Sequence, residues 1–171
     1  VILKPNSGGG FKQVFKVENL EQLWDAYNQT GTECMILQQF IPWEKYVRCL
    51  VIGQEQVLVM KFDVNEPFPN RYFNEPDYLT AEEHQRVVES ALAIVRAFGY
   101  DMNTCEFALV GGVPYAIDFT NPAPDMDYWS LKEEFFAWVV KAMADMCIAK
   151  VQAGRYRYSK LTPHELAEPQ Q

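Results

Sequence analysis

The sequence is poor in positive charge and has no long apolar run. Its 15 Lys and Arg residues stand against 23 Asp and Glu residues, which gives a formal net charge of −8. Nucleic-acid interfaces need clustered positive charge, so we expect no nucleic-acid partner. A membrane span needs roughly 18 or more consecutive apolar residues. None occurs here, so we expect no membrane partner, and the oligomeric state stays unknown.

Cysteine is also scarce, and it lacks a metal-binding spacing. The four cysteines are Cys34, Cys49, Cys105 and Cys147, and none forms a CxxC pair. Such spacing is not typical of a zinc site or of a small disulfide framework. Three of the four lie within apolar runs, so we predict reduced, buried thiols in a cytoplasmic protein.

The apolar residues that are present predict a folded domain with strands and helices. With 49% hydrophobic and 14% aromatic residues, the chain can bury a core. Alternating apolar residues predict strands, and three segments have helical spacing. We expect the three helices to be capped at Asn19, at Thr80 with Glu83 completing a capping box, and at Ser130 with Glu133 in the equivalent position.

Two apolar runs joined by Gly111-Gly112 each carry one acidic residue. These residues are Glu106 and Asp118, and Asn121 follows at the end of the second run. A buried carboxylate is costly unless it is paired or binds a cation. Carboxylate and amide oxygens suit Mg²⁺. The pattern therefore predicts a magnesium site that holds a nucleotide phosphate.

The geometry of this hairpin decides whether the three residues can meet. On a regular strand Asp118 and Asn121 point to opposite faces, because they are three positions apart. Both can bind one metal only if the chain bulges near Thr120. A hairpin loop with an odd number of residues would place Glu106 opposite Asp118, whereas an even loop would place it opposite Ile117. We expect the odd loop.

Four cations lie in positions where they could meet an anion. Lys4 precedes the glycine-rich loop at residues 7–10, whose backbone N–H groups could wrap phosphate oxygens, although such a loop is more often a plain hairpin tip. Arg48 and Lys61 interrupt apolar strands, and Arg71 lies in a Pro- and Asn-rich loop with the length of a lid. Two roles stay open for Lys4, Arg48 and Lys61, namely phosphate contacts or salt bridges with the two acidic residues of the hairpin.

The order of short motifs resembles a known family. The chain contains, in sequence, KP-x-x-GGG, ILQQFI, YVR-C-x-VIG, MK, a carboxylate-bearing strand and D-x-x-N-P. Over roughly residues 1–145, this order resembles the C-terminal two-thirds of an ATP-grasp domain. Relatives of this fold include D-alanine–D-alanine ligase, glutathione synthetase, biotin carboxylase and the ribosomal-protein glutamate ligases.

The resemblance implies an α+β fold with mostly antiparallel sheets, helices packed on one side, and two lobes around a nucleotide cleft. We expect a small lobe at about residues 1–41, a large lobe at about 42–150 and a C-terminal tail at 151–171. The sequence opens within a strand and has no initiator Met. We therefore expect an N-terminally truncated domain that is a poor catalyst on its own.

The resemblance also implies roles for individual residues. The residues that correspond to phosphate-binding positions are Lys4, Ser7, Gly8, Gly9 and Gly10. Those that correspond to the adenine-binding hinge are Gln38, Gln39, Phe40 and Ile41. The family places a carboxylate on the ribose at Glu44 or Lys45, and simple counting favours Lys45, so this contact stays open.

Two further groups correspond to the reacting end of the nucleotide. The cations near the phosphates or the substrate are Arg48, Lys61 and Arg71. The residues that resemble the magnesium ligands of the family are Glu106, Asp118 and Asn121.

The implied activity is that of an ATP-dependent ligase with Mg²⁺ or Mn²⁺ as the metal. Such an enzyme forms an acylphosphate from a small-molecule carboxylate and joins it to an amine or thiol. The family pattern E-x-N is replaced by D-x-x-N at residues 118–121. This departure leaves two alternatives open, a nucleotide-binding module without chemistry and an unrelated α+β domain in which these residues are structural.

Overall fold

The computed structural model describes residues 1–8, 12–67 and 69–154. The strands are β1 (Ile2–Pro5), β2 (Phe15–Lys16), β3 (Met35–Gln38), β4 (Lys45–Ile52), β5 (Gln56–Phe62), β6 (Tyr72–Phe73), β7 (Met102–Val110) and β8 (Val113–Asn121). The helices are α1 (Leu20–Asn28), α2 (Ala81–Phe98) and α3 (Tyr128–Gln152). None of these helices is long and apolar enough to cross a membrane. The tail was predicted to begin at residue 151, but α3 continues to Gln152, and the residues beyond 154 lie outside the described part of the chain.

The strands form two antiparallel sheets, which confirms the predicted α+β class. The smaller sheet has the order β2-β1-β3, and the larger has the order β6-β5-β4-β7-β8. A three-residue loop at residues 53–55 joins β4 to β5, and its first two residues, Gly53 and Gln54, have positive φ.

The central strands of the larger sheet are buried on both faces. Alternate residues of β4 point to opposite sides, so Leu50 packs with α3 and Val51 packs with α2. The helices therefore cover both faces of this sheet, and the expectation that they pack on one side is wrong in this detail. The reason is visible in the sequence of β4, which is a nearly continuous apolar run and not a strict alternation.

The caps of the first two helices are confirmed. The side chain of Asn19 accepts a hydrogen bond from the backbone N–H of Gln22. Thr80 and Glu83 form both hydrogen bonds of a capping box at the start of α2. Side-chain acceptors at these positions satisfy backbone N–H groups that have no partner inside the helix.

The cap of the third helix is not Ser130. Asp127 is the N-cap, and its Oδ1 accepts hydrogen bonds from the backbone N–H groups of Trp129 and Ser130 at 2.9 and 3.0 Å. The Ser130 hydroxyl donates to Asp127 Oδ2 at 2.8 Å, so it serves the earlier cap. Lys132, with φ 61°, then interrupts the helix, and Glu133 has no capping-box role.

The four cysteines are free thiols, but only two are buried. Cys49 and Cys105 face each other across β4 and β7, whereas Cys34 and Cys147 are exposed. Burial raises the pKa of Cys105 to about 11 and the pKa of Cys49 well above its ordinary value. Both buried thiols are therefore protonated and chemically quiet. The prediction of buried thiols is wrong for the other two, which lie on solvent-facing surfaces.

Glu83 gives a pH-dependent test of the packing of α2 on β4. Its Oε2 accepts a hydrogen bond from Lys45 Nζ at 2.6 Å, and this contact lowers the pKa of Glu83. We expect Glu83→Gln to lower the free energy of unfolding by about 1 kcal/mol at neutral pH, because glutamine keeps the capping box but loses the ion pair.

The effect should fade in acid. Because the folded pKa is depressed, the stabilisation is present above the unfolded value of about 4.3 and is lost as the pH falls through the folded value. Urea unfolding at neutral pH and at about pH 3 measures this. Glu82→Gln on the same turn, where the side chain is 76% exposed, is the matched control and should have little effect. Equal effects of the two variants at neutral pH would contradict the account.

Candidate functional site

The hairpin of β7 and β8 brings its two acidic residues face to face. Its loop, Gly111-Gly112, has an even number of residues, so the expectation of an odd loop is wrong. A regular ladder from this loop would place Glu106 opposite Ile117. The register shifts by one residue at Ile117, which forms a bulge, and Glu106 faces Asp118. The predicted pairing therefore occurs, but through a bulge and not through the loop length.

A second register shift lies between Asp118 and Asn121. Asn121 faces Thr104, which lies two positions from Glu106, whereas Asn121 lies three positions from Asp118. The extra residue sits near Thr120, where a break was predicted, so this prediction is confirmed. Directly opposed residues share a face of the sheet. Asp118 and Asn121 therefore point to the same face as Glu106.

The side chain of Asn103 supports this second bulge. Asn103 is fully buried, and its Nδ2 donates a hydrogen bond to the carbonyl of Phe119 at 2.9 Å. This bond satisfies a carbonyl in the segment where the regular ladder is interrupted. The sequence analysis did not single out Asn103, because a lone amide in an apolar strand gives no signal of the bulge beside it.

Glu106 is a buried carboxylate with incomplete compensation. The Tyr46 hydroxyl donates to its Oε2 at 2.7 Å, and Arg48 Nη1 lies 3.8 Å from its Oε1. Burial raises the pKa of Glu106, and the opposing charge of Asp118 adds to this rise, while Arg48 and Tyr46 act against it. The pKa remains raised, which means that the charged form lacks part of the stabilisation it would have in water.

Arg48 is held in a narrow, mostly buried position. Its guanidinium lies over the rings of Phe62 and Tyr72, at 5.5 and 5.8 Å from their centroids. Nη2 donates to Thr104 Oγ1 at 3.3 Å, while the buried Nε has no hydrogen-bond partner in the described part of the chain. The salt bridge left open in the sequence analysis is thus present, but it is long and leaves donor capacity unused.

The smaller sheet reaches the hairpin at the first bulge. Lys4 Nζ and the Gln38 side-chain amide both donate to the carbonyl of Ile117, at 3.4 and 3.5 Å. Lys4 lies on β1 and Gln38 on β3, which pair with each other. Lys4, predicted to bind the phosphates, and Gln38, predicted to bind the adenine, therefore both contact Ile117, the residue that precedes Asp118.

The remaining hinge and loop residues have varied surroundings. Ser7, Gly8 and Gln39 are exposed, Phe40 and Ile41 are half-buried, and Gly9 and Gly10 lie outside the described residues. Arg71 Nε donates to the carbonyl of Glu66 at 2.8 Å. The positive charge of Arg71 favours the charged form of Glu106 and so opposes the rise in the pKa of that carboxyl.

Lys61 and Lys45 point away from this cluster. Lys61 is opposite Val47, on the face covered by α2, and its Nζ contacts Glu75 at 2.5 Å. It lines a cavity of about 410 Å³ that includes none of the hairpin residues. Lys45 pairs with Glu83. The alternation of side chains along a strand separates these two lysines from Arg48 and Glu106.

Glu44 lies at the tip of the hairpin. Its Oε2 accepts a hydrogen bond from the backbone N–H of Gly111 at 3.3 Å. Glu44 and Lys45, the two candidates for the ribose contact, therefore have other partners than the Ile117 carbonyl that Lys4 and Gln38 contact. The ribose contact stays a prediction.

Comparison with known proteins gives a match in structure alone. No family model matches the chain, and no curated protein matches it. D-alanine–D-alanine ligase from Bacillus anthracis superposes with a TM-score of 0.67 at 21% identity, over 90% of this chain and 55% of that one. The same enzyme complexed with ATP gives a TM-score of 0.67 at 21% identity, over 90% and 53% of the two chains. N5-carboxyaminoimidazole ribonucleotide synthetase from Thermus thermophilus gives 0.55 at 21% identity, over 84% and 41%.

The chain has the ATP-grasp fold. It spans about half the length of the first two of these ligase structures. In this fold, β8 is the edge strand of the larger sheet, and its Ile117 carbonyl contacts Lys4 and Gln38 of the smaller sheet.

The side chains that the hairpin of β7 and β8 aligns on one face offer a small set of hard oxygen ligands. Within residues 1–8, 12–67 and 69–154, no group of three or more His, Cys, Asp or Glu residues could hold a metal. Glu106 and Asp118 supply two carboxylates, and the Oδ1 of Asn121 accepts a hydrogen bond from the backbone N–H of Ala123 at 3.3 Å. This set suits Mg²⁺, which takes one or two carboxylates and completes its shell with water and phosphate oxygens. It lacks the nitrogen and sulfur ligands of a zinc site.

Asn103 provides a test of how the second bulge is held. We expect Asn103→Ala to lower the free energy of unfolding by about 1–3 kcal/mol, because the Phe119 carbonyl loses a buried donor. Asn103→Asp should be at least as destabilising, since it presents an acceptor to that carbonyl. Urea unfolding measures both effects.

The control for this test is Asn28→Ala, at an exposed position on α1. It should change the free energy of unfolding by less than about 0.5 kcal/mol. An effect of Asn103→Ala as small as that of the control would show that the bulge does not depend on this amide.

Proposed function

We propose that the chain binds ATP together with Mg²⁺ and that the complete protein is a ligase. In this proposal the enzyme forms an acylphosphate from a small-molecule carboxylate and joins it to an amine or thiol. The observation that carries the proposal is the bulged hairpin, which aligns Glu106, Asp118 and Asn121 on one face. The similarity in fold to ligases, one of them complexed with ATP, supports the same conclusion.

The hairpin residues would hold the metal. Glu106 is a carboxylate in a low-dielectric position with its pKa raised by burial, and Asp118 opposes it. A cation placed between them would relieve both the desolvation and the repulsion. When bound, Mg²⁺ supplies neutralisation of the charge on the phosphate oxygens.

The smaller sheet and the glycine-rich loop would hold the nucleotide. Lys4 would contact the phosphates, and the loop from Ser7 to Gly10 would add backbone N–H donors. The hinge from Gln38 to Ile41 would bind the adenine. For the ribose, Glu44 is the better candidate, because Lys45 is engaged by Glu83.

The chemistry would proceed in two displacements. An oxygen of the substrate carboxylate attacks the γ-phosphorus, the bond from this phosphorus to the bridging oxygen of ADP breaks, and ADP leaves. The amine then attacks the acyl carbon, the carbon–oxygen bond to phosphate breaks, and inorganic phosphate leaves as the amine loses a proton. Catalysis of this kind rests on positioning and on charge stabilisation.

The arginines of the site would serve the substrate carboxylate. Arg48 has a buried Nε without a partner in the described residues, and its guanidinium packs against the rings of Phe62 and Tyr72. Arg71 lies close enough to influence Glu106. Lys61 has no part in this proposal, because it projects from the opposite face of the sheet.

A nucleotide-binding module without chemistry is the second candidate. The observation that favours it is the D-x-x-N spacing, since the second bulge is needed to align residues that an E-x-N spacing would align on a regular strand. The two candidates differ in turnover. The complete protein should release ADP and phosphate only when a carboxylate and an amine are both present. Binding of ATP with no turnover across a broad substrate panel would support the module.

Calorimetric titration of the chain with ATP and Mg²⁺ tests the site itself. We expect Glu106→Gln and Asp118→Asn each to weaken Mg²⁺ binding in the presence of ATP by at least roughly tenfold. Removing a residue that only hydrogen-bonds to a metal ligand already weakens metal affinity by about this factor, and these two variants remove proposed ligands themselves. Lys4→Ala should weaken ATP binding, since it removes a cation from the phosphates.

The charge-matched control is Asp145→Asn on α3, where the side chain is 49% exposed in a surface ion pair with Lys141. It should leave both affinities unchanged. If the two hairpin variants bind Mg²⁺ as tightly as the control does, while remaining folded by circular dichroism, the proposed metal site is wrong.

A further inference from the structure

We infer that Tyr46 is a positioning residue for Glu106. The Tyr46 hydroxyl donates a hydrogen bond to Oε2 of Glu106, so that the carboxylate presents its other oxygen, Oε1, to a metal ion. The inference rests on the proposed function and deepens it, because it assigns the mode of binding at that site. Tyr46 lies on β4, outside the hairpin that carries the three proposed ligands.

The hydrogen bond between the two side chains is short and buried. The Tyr46 hydroxyl lies 2.7 Å from Glu106 Oε2, in the range of a charge-assisted O–H···O⁻ bond. Tyr46 is 5% exposed and Glu106 is 8% exposed, so water competes little for either group. A bond of this kind orients the carboxylate more firmly than a surface contact would.

Tyr46 is itself fixed from several sides. Its ring packs against Trp43 at 5.1 Å and Phe62 at 6.1 Å between centroids, and its backbone N–H donates to the Tyr78 hydroxyl at 2.9 Å. It is directly opposite Ala108 on β7. The small side chain of Ala108 leaves room for the ring, and Glu106 is the diagonal neighbour that a long side chain can reach.

The other oxygen of Glu106 is less engaged. Oε1 lies 3.8 Å from Arg48 Nη1, which is too long for a hydrogen bond. The two oxygens of the carboxylate are therefore not equivalent. A metal bound through Oε1 alone would leave more of its coordination positions for water and phosphate oxygens, as Mg²⁺ requires.

The test uses Mn²⁺ as the probe and measures the concentration of free Mn²⁺ by electron paramagnetic resonance. We expect Tyr46→Phe, which keeps the ring and removes only the hydroxyl, to weaken Mn²⁺ binding by roughly tenfold, the usual effect of removing a partner of a metal ligand. The matched control is Tyr115→Phe on β8, where the residue is 44% exposed, and this variant should bind Mn²⁺ as the unaltered chain does.

A double-mutant cycle separates this role from a general structural one. In a Glu106→Gln background, Tyr46→Phe should cause no further loss of Mn²⁺ affinity, because the group that Tyr46 orients is gone. An equal loss in both backgrounds would overturn the inference. The carboxylate stretching bands in infrared difference spectra with and without metal give a second readout, and Tyr46→Phe should shift the band that Glu106→Gln removes. An unshifted band would also overturn it.

The cycle also distinguishes failure of the proposed metal site from failure of the proposed role of Tyr46. If Glu106→Gln leaves Mn²⁺ binding unchanged, the proposed metal site itself fails. If Glu106→Gln weakens binding and Tyr46→Phe does not, only the role of Tyr46 is overturned.

Discussion

The register of β7 against β8 is the constraint on which the site depends. The even loop would separate Glu106 from Asp118, and regular strand geometry would separate Asp118 from Asn121. Two bulges in β8 correct both mismatches within five residues, from Ile117 to Asn121. The first bulge also presents the Ile117 carbonyl to Lys4 and Gln38, so the same irregularity that aligns the hairpin side chains joins the hairpin to the smaller sheet.

The buried charges of this hairpin are only partly compensated, which is a common property of binding and catalytic sites. A structural carboxylate is normally buried with close, well-directed donors. Glu106 has one such donor in Tyr46, a distant partner in Arg48 and a like charge in Asp118, and its pKa is raised as a result. Arg48 retains an unpaired donor nearby. Incomplete compensation of buried charges costs stability in the free protein, and a bound cation and anion would recover it.

Much of this arrangement follows from the sequence, and the exceptions have physical causes. The acidic positions, the caps of α1 and α2 and the strand-rich pattern depend on local chemistry, which a sequence displays directly. The bulge at Ile117 depends on how one strand fits another, and nothing in its neighbours Ala116 and Asp118 marks it.

Lys61 was expected beside the phosphates, but β4 and β5 are apolar on both faces, so hydrophobicity alone does not reveal which face a residue occupies. The N-cap of α3 is Asp127 and not Ser130, because both residues are good hydrogen-bond acceptors and the sequence alone does not show at which of them the helix begins.

The central claim is that the bulged hairpin forms one metal site from Glu106, Asp118 and Asn121. The most direct measurement is the anomalous scattering of Mn²⁺ in crystals of the chain grown with a non-hydrolysable ATP analogue. The account predicts an anomalous peak within roughly 2.5 Å of Glu106 Oε1 and an Asp118 oxygen, the range of metal–oxygen bonds to hard cations. A peak that lies elsewhere, with the nucleotide bound and Glu106 contacting only Tyr46 and Arg48, would contradict it.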